Sequence, residues 1–484
     1  MVEIKIHPIL EDNIEIFDGG GIKIYEEEPG MLQEKKYTLK LVTTIPVIKE
    51  IKKRKRDGVE EHREIITYEN FLLTITKARL KNGNTAITHE FKPFDGASAK
   101  YPGFNVPKNL IKLFNEKLAV PEWEKLLVSP AEVYRKLWKI YDYYLDIEPE
   151  VITFFAIYTI ASYFYVLFPA FPYVYLWGAR QSGKTKTLGL FQKLCFNAVA
   201  TMNLSAPSLF RLIETFGSTL CIDESEYLKD VERKSEMQTL LFAGYKKDTA
   251  NVLRVEGEKR KEVKIYRVFS PKVMASINYP NDVLMDRCIM VNMKRGRNPE
   301  KLNREPSEDF TEIREDLYKL LLTRFDEVYE MRNMDFDHPL LVARERELWR
   351  PILIIGFWIK SYLPEEEGAK LWNDLEKMLE RDVENKQALR QDSDLNMVIY
   401  ALASHLQEDG IVSNKTIKEW ILDEFRLDDA EYKTAQRYWT PERIGRIMGG
   451  LGFKRVRRAD GTYYRVELKR VKELCEAYDV EVKD

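Results

Sequence analysis

The stretch Pro172 to Thr187, PYVYLWGARQSGKTKT, constrains the fold more than any other. An apolar run (Tyr173, Val174, Tyr175, Leu176, Trp177) passes into Gly178-Ala179-Arg180-Gln181-Ser182-Gly183-Lys184-Thr185, which meets the phosphate-loop pattern G-x-x-x-x-G-K-[ST] at every fixed position. A buried strand, a glycine loop and a helix are expected in that order. Gly178 and Gly183 let the backbone curl so that the N–H groups of residues 178–185 point at phosphate oxygens, with the positive end of the next helix behind them. Lys184 brings a mobile charge to the outer phosphates, and the Thr185 hydroxyl is placed to ligate Mg2+. The expected cofactors are therefore ATP and Mg2+.

Composition narrows the classes. The 484 residues are enough for two to four domains, and 76 basic side chains against 78 acidic ones leave almost no net charge. Any contact with nucleic acid must then come from local patches. Cys195, Cys221, Cys288 and Cys475 are scattered without a C-x-x-C pair, which argues for a reducing cytoplasm and against zinc. Val151 to Phe171 is long enough to span a bilayer. It carries six hydroxyl side chains (Thr153, Tyr158, Thr159, Ser162, Tyr163, Tyr165) and runs straight into the phosphate-loop strand, so a helix buried on the sheet is expected, with no membrane partner.

Five segments follow from the patterning. Residues 1–105 read as β-rich, with short runs at Val2–Ile6, Ile14–Phe17, Ile22–Tyr25, Tyr37–Val42, Glu64–Tyr68, Phe71–Ile75 and Ala86–Phe91 between glycine and asparagine turns. The basic run Lys49 to Arg56 reads as a hairpin tip, either simply solvated or a finger that contacts phosphate. Residues 106–171 read as a helical connector, 172–300 as the nucleotide-binding core and 301–389 as a helical lid. Helices are expected over Phe310–Met331, Pro339–Tyr362 and Glu365–Lys386.

A second acidic signal completes the core. After a strand at Ala198–Leu204 and a helix at Ser208–Thr215, the run Ser218-Thr219-Leu220-Cys221-Ile222 ends in Asp223-Glu224. This Walker B pattern lies 39 positions beyond the loop lysine (223 − 184). Asp223 would hold Mg2+, and Glu224 would orient and polarise the attacking water. Val252 to Tyr266 reads as a hairpin whose tip carries Lys259, Arg260 and Lys261. The run Lys272 to Ile277 then ends in Asn278, and Arg287 precedes the strand Cys288–Met293.

Taken together, residues 150–360 resemble AAA+ helicase-type ATPases of plasmids, phages and integrative elements, similar in motif order to superfamily III and minichromosome-maintenance helicases. The phrases FPYVYLWGARQSGKT, LCIDESEYL and LMDRCIMVNMKRG carry the resemblance. It implies a sensor 1 role for Asn278 on a strand between the two Walker strands, and an arginine finger acting in a neighbouring subunit for Arg287. It implies sensor 2 at Arg350, with Arg346 second. The hairpin then resembles the one that projects into the pore of hexameric helicases, placing Lys259, Arg260 and Lys261 against a sugar-phosphate backbone; an ordinary solvated hairpin fits equally. The implied assembly is a ring, a hexameric homo-oligomer threading single-stranded or forked DNA.

Residues 390–484 change character again. Helices at Leu395–Gln407, Ser413–Glu424 and Thr440–Leu451 lead into Phe453-Lys454-Arg455-Val456-Arg457-Arg458, an Asp-Gly turn and Tyr463-Tyr464-Arg465-Val466, which reads as a winged helix. From Arg443 to Lys472 ten basic residues face two acids. Arg455, Arg457 and Arg458 are the phosphate-binding candidates, with protein docking as the alternative use of such a module. The expected architecture is thus α/β: an AAA+ P-loop core with a helical lid, a β-rich N-terminal domain and a C-terminal winged helix. The expected activity is that of an ATP-dependent DNA helicase. A replication initiator or protein-remodelling ATPase and a nucleotide-switched DNA-binding regulator are the rivals.

Overall fold

A computed structural model of the chain describes residues 2–8, 21–24, 30–33, 36–54, 60–79, 85–93, 126–201, 206–223, 239–256, 262–277, 280, 282–391, 394–424, 432, 435–436, 438–458, 461–478 and 480. They form two units, Met1–Asp382 and Val383–Asp484. Glu224, Lys259, Arg260, Lys261 and Asn278 lie outside the described residues, as do the run expected at Ile14–Phe17 and residues 106–125 of the expected connector.

The first unit opens with an antiparallel sheet of six strands: β1 (Val2–Pro8), β2 (Gly21–Ile24), β3 (Gly30–Gln33), β4 (Lys36–Arg54), β5 (Glu60–Arg79) and β6 (Thr85–Pro93). β4 and β5 pair without a break from Lys36↔Ala78 to Arg54↔Glu60. Two corrections follow. The runs Glu64–Tyr68 and Phe71–Ile75 are one strand, because Glu69-Asn70 interrupts only the apolar pattern and the ladder is made by backbone groups. Lys49 to Arg54 belong to β4 itself and pair with β5, so most of that basic run is strand and not tip.

Two helices lead to the core, α1 (Pro130–Tyr144) and α2 (Pro149–Phe164). α2 is apolar on every side because it is buried on every side: 94% of the stretch Pro149–Leu167 that could cross a membrane by length lies inside the chain. Its polar atoms all find partners. Thr159 Oγ1 donates to Phe155 O (2.9 Å), Thr153 Oγ1 to Asp374 Oδ2 (3.0 Å), and Tyr158 OH reaches Pro172 O and Lys272 O at 3.2 Å each. Phe155 stacks edge-on against Phe191 at 5.0 Å, which fixes α2 beneath the phosphate-loop helix.

The core is a five-stranded parallel sheet. Its elements are β7 (Tyr173–Trp177), α3 (Lys184–Leu194), β8 (Val199–Thr201), α4 (Ala206–Phe216), β9 (Leu220–Ile222), the antiparallel ribbon β10 (Asn251–Glu256) and β11 (Glu262–Arg267), then β12 (Lys272–Ser276) and β13 (Cys288–Asn292). The sheet order is β13-β7-β12-β9-β8, with β7 internal and β12 lying between β7 and β9. Four of the five β7 side chains are buried, as a strand covered on both faces requires.

Three long helices follow, α5 (Thr311–Met331), α6 (Arg344–Lys360) and α7 (Glu365–Gln391). The helix expected from Pro339 begins only at Arg344, because residues 338–342 form turns in which Leu341 N donates to His338 O and Val342 N to Leu340 O (both 3.0 Å). Lys77 on β5 ties the N-terminal sheet to α5, donating to Thr323 O at 2.6 Å and pairing with Asp326. Asp382, fully buried, accepts from the edge-strand N–H of Met290 (2.7 Å) and from Trp349 Nε1 (2.9 Å), so one carboxylate satisfies an open sheet edge and locks α6 to α7.

The second unit holds α8 (Asp394–His405), β14 (Gly410–Ser413), α9 (Asn414–Glu424), α10 (Pro441–Gly450), β15 (Lys454–Arg458), β16 (Gly461–Val466) and α11 (Leu468–Tyr478). Its core is built from Val398, Leu402, Ile417, Ile421, Ile444 and Met448 on the helices and from Tyr464 and Val466 on β16. β14 adds a third strand to the expected hairpin in the order β14-β16-β15, and α11 closes the unit; neither was marked in the sequence.

Candidate nucleotide-binding site

The phosphate loop leaves β7 at Gly178 with φ +145°, turns through Gln181 at +62° and Gly183 at +87°, and enters α3 at Lys184. Left-handed residues next to right-handed ones turn successive N–H groups to one side, which is the anion-cradling geometry that the motif requires. A β-carbon at Gly178 would sit 2.2 Å from Met293 O, so only glycine lets β7 and the segment after β13 approach this closely. At Gly183 nothing lies within 4 Å of such a carbon, and its requirement is the backbone angle alone. Gly178→Ala is therefore expected to lower the melting temperature and abolish binding of an ATP analogue, while Gly183→Ala costs only about 1–2 kcal/mol of local strain. Calorimetric titration with thermal melting measures both; equal losses in the two variants would refute the close-approach argument.

Lys184 Nζ lies 2.7 Å from Gly178 O, 2.8 Å from Ala179 O and 3.3 Å from Ser182 Oγ, centred over the loop. Ala179, Arg180, Gln181 and Thr185 are exposed and Ser182 is buried. The loop forms one wall of a hollow of about 300 Å³. The opposite wall was not foreseen in the sequence: it is the end of α1 and the segment after it, Tyr144 to Ile147, together with Met293, Gly296 and Leu302. Asp146 builds that wall by accepting the N–H groups of Arg297 (2.6 Å) and Asn298 (2.8 Å), bonds that hold its carboxyl below the usual range. Lys186 Nζ bonds Leu302 O (2.8 Å) and Lys301 O (3.0 Å), so the loop helix and the wall are fastened together.

Register places Asp223 on the same rim. Ile222 pairs with Met274, and Met274 with Tyr175, so Asp223 follows at the level of Leu176, just below the loop. With β12 between, two strand spacings separate it laterally from β7, about 10 Å. A hydroxyl at Thr185 and a carboxylate at Asp223 are hard oxygen donors of the kind Mg2+ takes. Asp223 is half-buried. Ser276, two residues before Asn278, pairs with Trp177 at the end of β7.

The arginines are elsewhere. Arg287 precedes β13, whose first residue Cys288 pairs with Tyr173 at the start of β7, so it sits at the end of the sheet away from the loop. Its Nε donates to Phe242 O (3.1 Å) and Nη1 to Val283 O, and the guanidinium lies 4.9 Å from the Tyr245 ring and 5.2 Å from the Phe242 ring. Arg350 and Arg346 do not line the phosphate-loop hollow. They line a second one of about 490 Å³ with Lys246, Asp248 and Glu347, and both face Asp335. The sensor 2 candidates Arg350 and Arg346, on the N-terminal turns of α6, thus line a hollow shared with Phe168–Ala170 and separate from the phosphate-loop hollow.

No family model matches the chain, and no curated protein matches it. Solved structures similar to it include an active helicase, Cch of SCCmec type IV (12% identity, 94% of this chain and 100% of that one, TM-score 0.35). They also include JCV helicase (12% identity, 56% and 64%, TM-score 0.22) and Drosophila ORC bound to DNA (12% identity, 74% and 94%, TM-score 0.19). At scores this low the assignment rests on the chain's own geometry. That geometry defines a mixed α/β protein whose parallel sheet carries a glycine loop at the end of β7 and an acidic residue, Asp223, after β9, with β12 between the two strands.

Proposed function

We propose that the chain is an ATP-hydrolysing motor of AAA+ type that works on DNA, a ring-forming, hexameric replicative helicase of a mobile genetic element acting in the cytoplasm. The observation that supports it best is the loop cradle on β7 with Asp223 on the same rim two strands away. In this reading residues 178–185 hold the phosphates of ATP, Thr185 and Asp223 hold Mg2+, and Glu224 and Asn278 place the water. The apolar side chains of Leu145, Ile147 and Leu302 give the hollow a surface on which a base can rest. The hairpin tip with Lys259, Arg260 and Lys261 and the basic segment with Arg455, Arg457 and Arg458 contact DNA.

A forked duplex with one labelled strand tests the reading. The parent protein is expected to displace the strand with ATP and to release phosphate faster when DNA is present. Phosphate release without displacement would replace helicase by initiator or remodelling ATPase, and ATP binding without release would leave a nucleotide-switched regulator.

A further inference from the structure

In helix-turn-helix proteins, bases are read by side chains projecting from a helix laid in the major groove. α10 of the second unit has little to offer there. Its exposed positions are Pro441, Glu442, Arg446, Gly449 and Gly450. Glu442 repels phosphate, and the two glycines carry no side chain, with open space around them. Arg443 is engaged by Asp394 and by the hydroxyl of Tyr438. One arginine, Arg446, remains on that surface.

The sheet beside it is different. Strand alternation splits the run Lys454 to Arg458 in two. Arg455 and Arg457 share a face with Tyr464 and Val466, which are buried against the helices, and so lie at its margin. Lys454, Val456 and Arg458 point the other way. Across the sheet they meet Arg465, Tyr463 and Gly461 on β16, and beyond these Ile411 and Ser413 on β14. Lys454, Arg458 and Arg465 are all exposed, and within the described residues of the three strands no acid stands on this face; Asp409 and Glu467 come only beyond the strand ends. The Arg458 guanidinium lies 4.8 Å from the Tyr463 ring, which holds it over the sheet. Lys454 and Arg465 are direct cross-strand partners. Like charges so placed weaken a sheet, so their pairing has no folding rationale and is relieved by a polyanion.

Building on the motor reading, we propose that the outer face of β14-β16-β15, carrying Lys454, Arg458 and Arg465, is the DNA surface of this unit, and that it grips the phosphodiester backbone without reading bases. α10 is a structural helix. Arg465, which the basic run in the sequence does not contain, belongs to the contact, and Arg455 and Arg457 are secondary to it.

The test uses the full chain and fluorescein-labelled duplexes of equal length and two unrelated sequences, with affinity measured by anisotropy over a range of salt. Lys454→Gln/Arg458→Gln/Arg465→Gln is expected to bind both duplexes about 10–100-fold more weakly, and to flatten the slope of log K against log salt by up to about 2.7 for three lost phosphate contacts. Arg446→Gln stays within about twofold, and Arg465→Lys, which keeps the charge at a position without ring stacking, binds as the parent does. An unchanged affinity and slope in the triple variant would overturn the proposal, as would a larger or sequence-dependent loss in Arg446→Gln. DNA-free ATP hydrolysis is measured on the same samples. The triple variant keeps it, whereas a parent without hydrolysis would defeat the motor reading and leave the surface assignment to be judged by its own slope.

Discussion

Glu224→Gln is expected to bind ATP and Mg2+ within about threefold of the parent and to hydrolyse ATP about 10²–10⁴-fold more slowly, the range a positioned general base contributes. The expectation comes from the rim geometry. β9 carries the chain to Ile222 in register with Met274 and Tyr175, which brings Asp223, the residue before Glu224, to the level of Leu176 just short of the loop. Removing the Glu224 charge leaves the phosphate cradle of residues 178–185 intact, because none of its atoms belongs to the loop. Asp223→Asn makes the contrasting case: one Mg2+ ligand is weakened, so the Mg2+ concentration for half-maximal activity should rise. Phosphate release and titration with a fluorescent ATP analogue separate the two effects. Normal turnover in Glu224→Gln would remove the catalytic assignment while leaving the binding site.

The parts of this site legible in the sequence are those where chemistry fixes residue type over a short stretch. Gly178, Gly183, Lys184 and Thr185 are spaced by the shape of a phosphate chain, and an acidic pair after an apolar strand is equally local. The far wall of the hollow is not like this. Tyr144, Leu145 and Ile147 are ordinary apolar residues at and just beyond the end of α1, and only Asp146, by capturing the Arg297 and Asn298 amides, makes them part of the site. The surroundings of the lid arginines are hidden from the sequence for a related reason. Arg350 and Arg346 face Asp335, which precedes α6 in the chain, and no pattern within ARERELWRP encodes that partner. The basic run of the second unit shows a third kind of loss. Lys454 to Arg458 reads as one patch along the chain, yet a strand sends alternate side chains to opposite faces, and the cation that completes the outer face, Arg465, comes from the next strand. For the N-terminal sheet the individual apolar runs were readable, but not the length of β4 and β5, since a long ladder tolerates polar interruptions that look like boundaries.

Arg287→Ala is expected to reduce ATP hydrolysis about 10³-fold, the lower end for an arginine finger, without loss of ATP binding. The argument begins with distance. Cys288 pairs with Tyr173, and the loop starts five residues later at Gly178, so the backbone before β13 is about 16 Å along the strand from the phosphates. An arginine side chain cannot span that gap, and any catalytic effect of Arg287 must be exerted on a second subunit. The guanidinium is also held in place, by Phe242 O and Val283 O and by the rings of Phe242 and Tyr245, as a group presented to a neighbour has to be. A heterologous ring interface gives a test that a buried structural arginine cannot imitate. Lys184→Ala subunits lack a working loop but keep Arg287, and Arg287→Ala subunits have the reverse defect. Each is inactive by itself. In a random equal mixture about one interface in four joins an intact loop to an intact arginine, so hydrolysis should return toward a quarter of the parent rate. Melting curves of Arg287→Ala and Arg287→Lys show whether the fold has suffered. Well-folded variants with no recovery at any mixing ratio would exclude a shared site, and Arg287 would then be a residue that only fastens the start of β13 to the helical turn at Phe242.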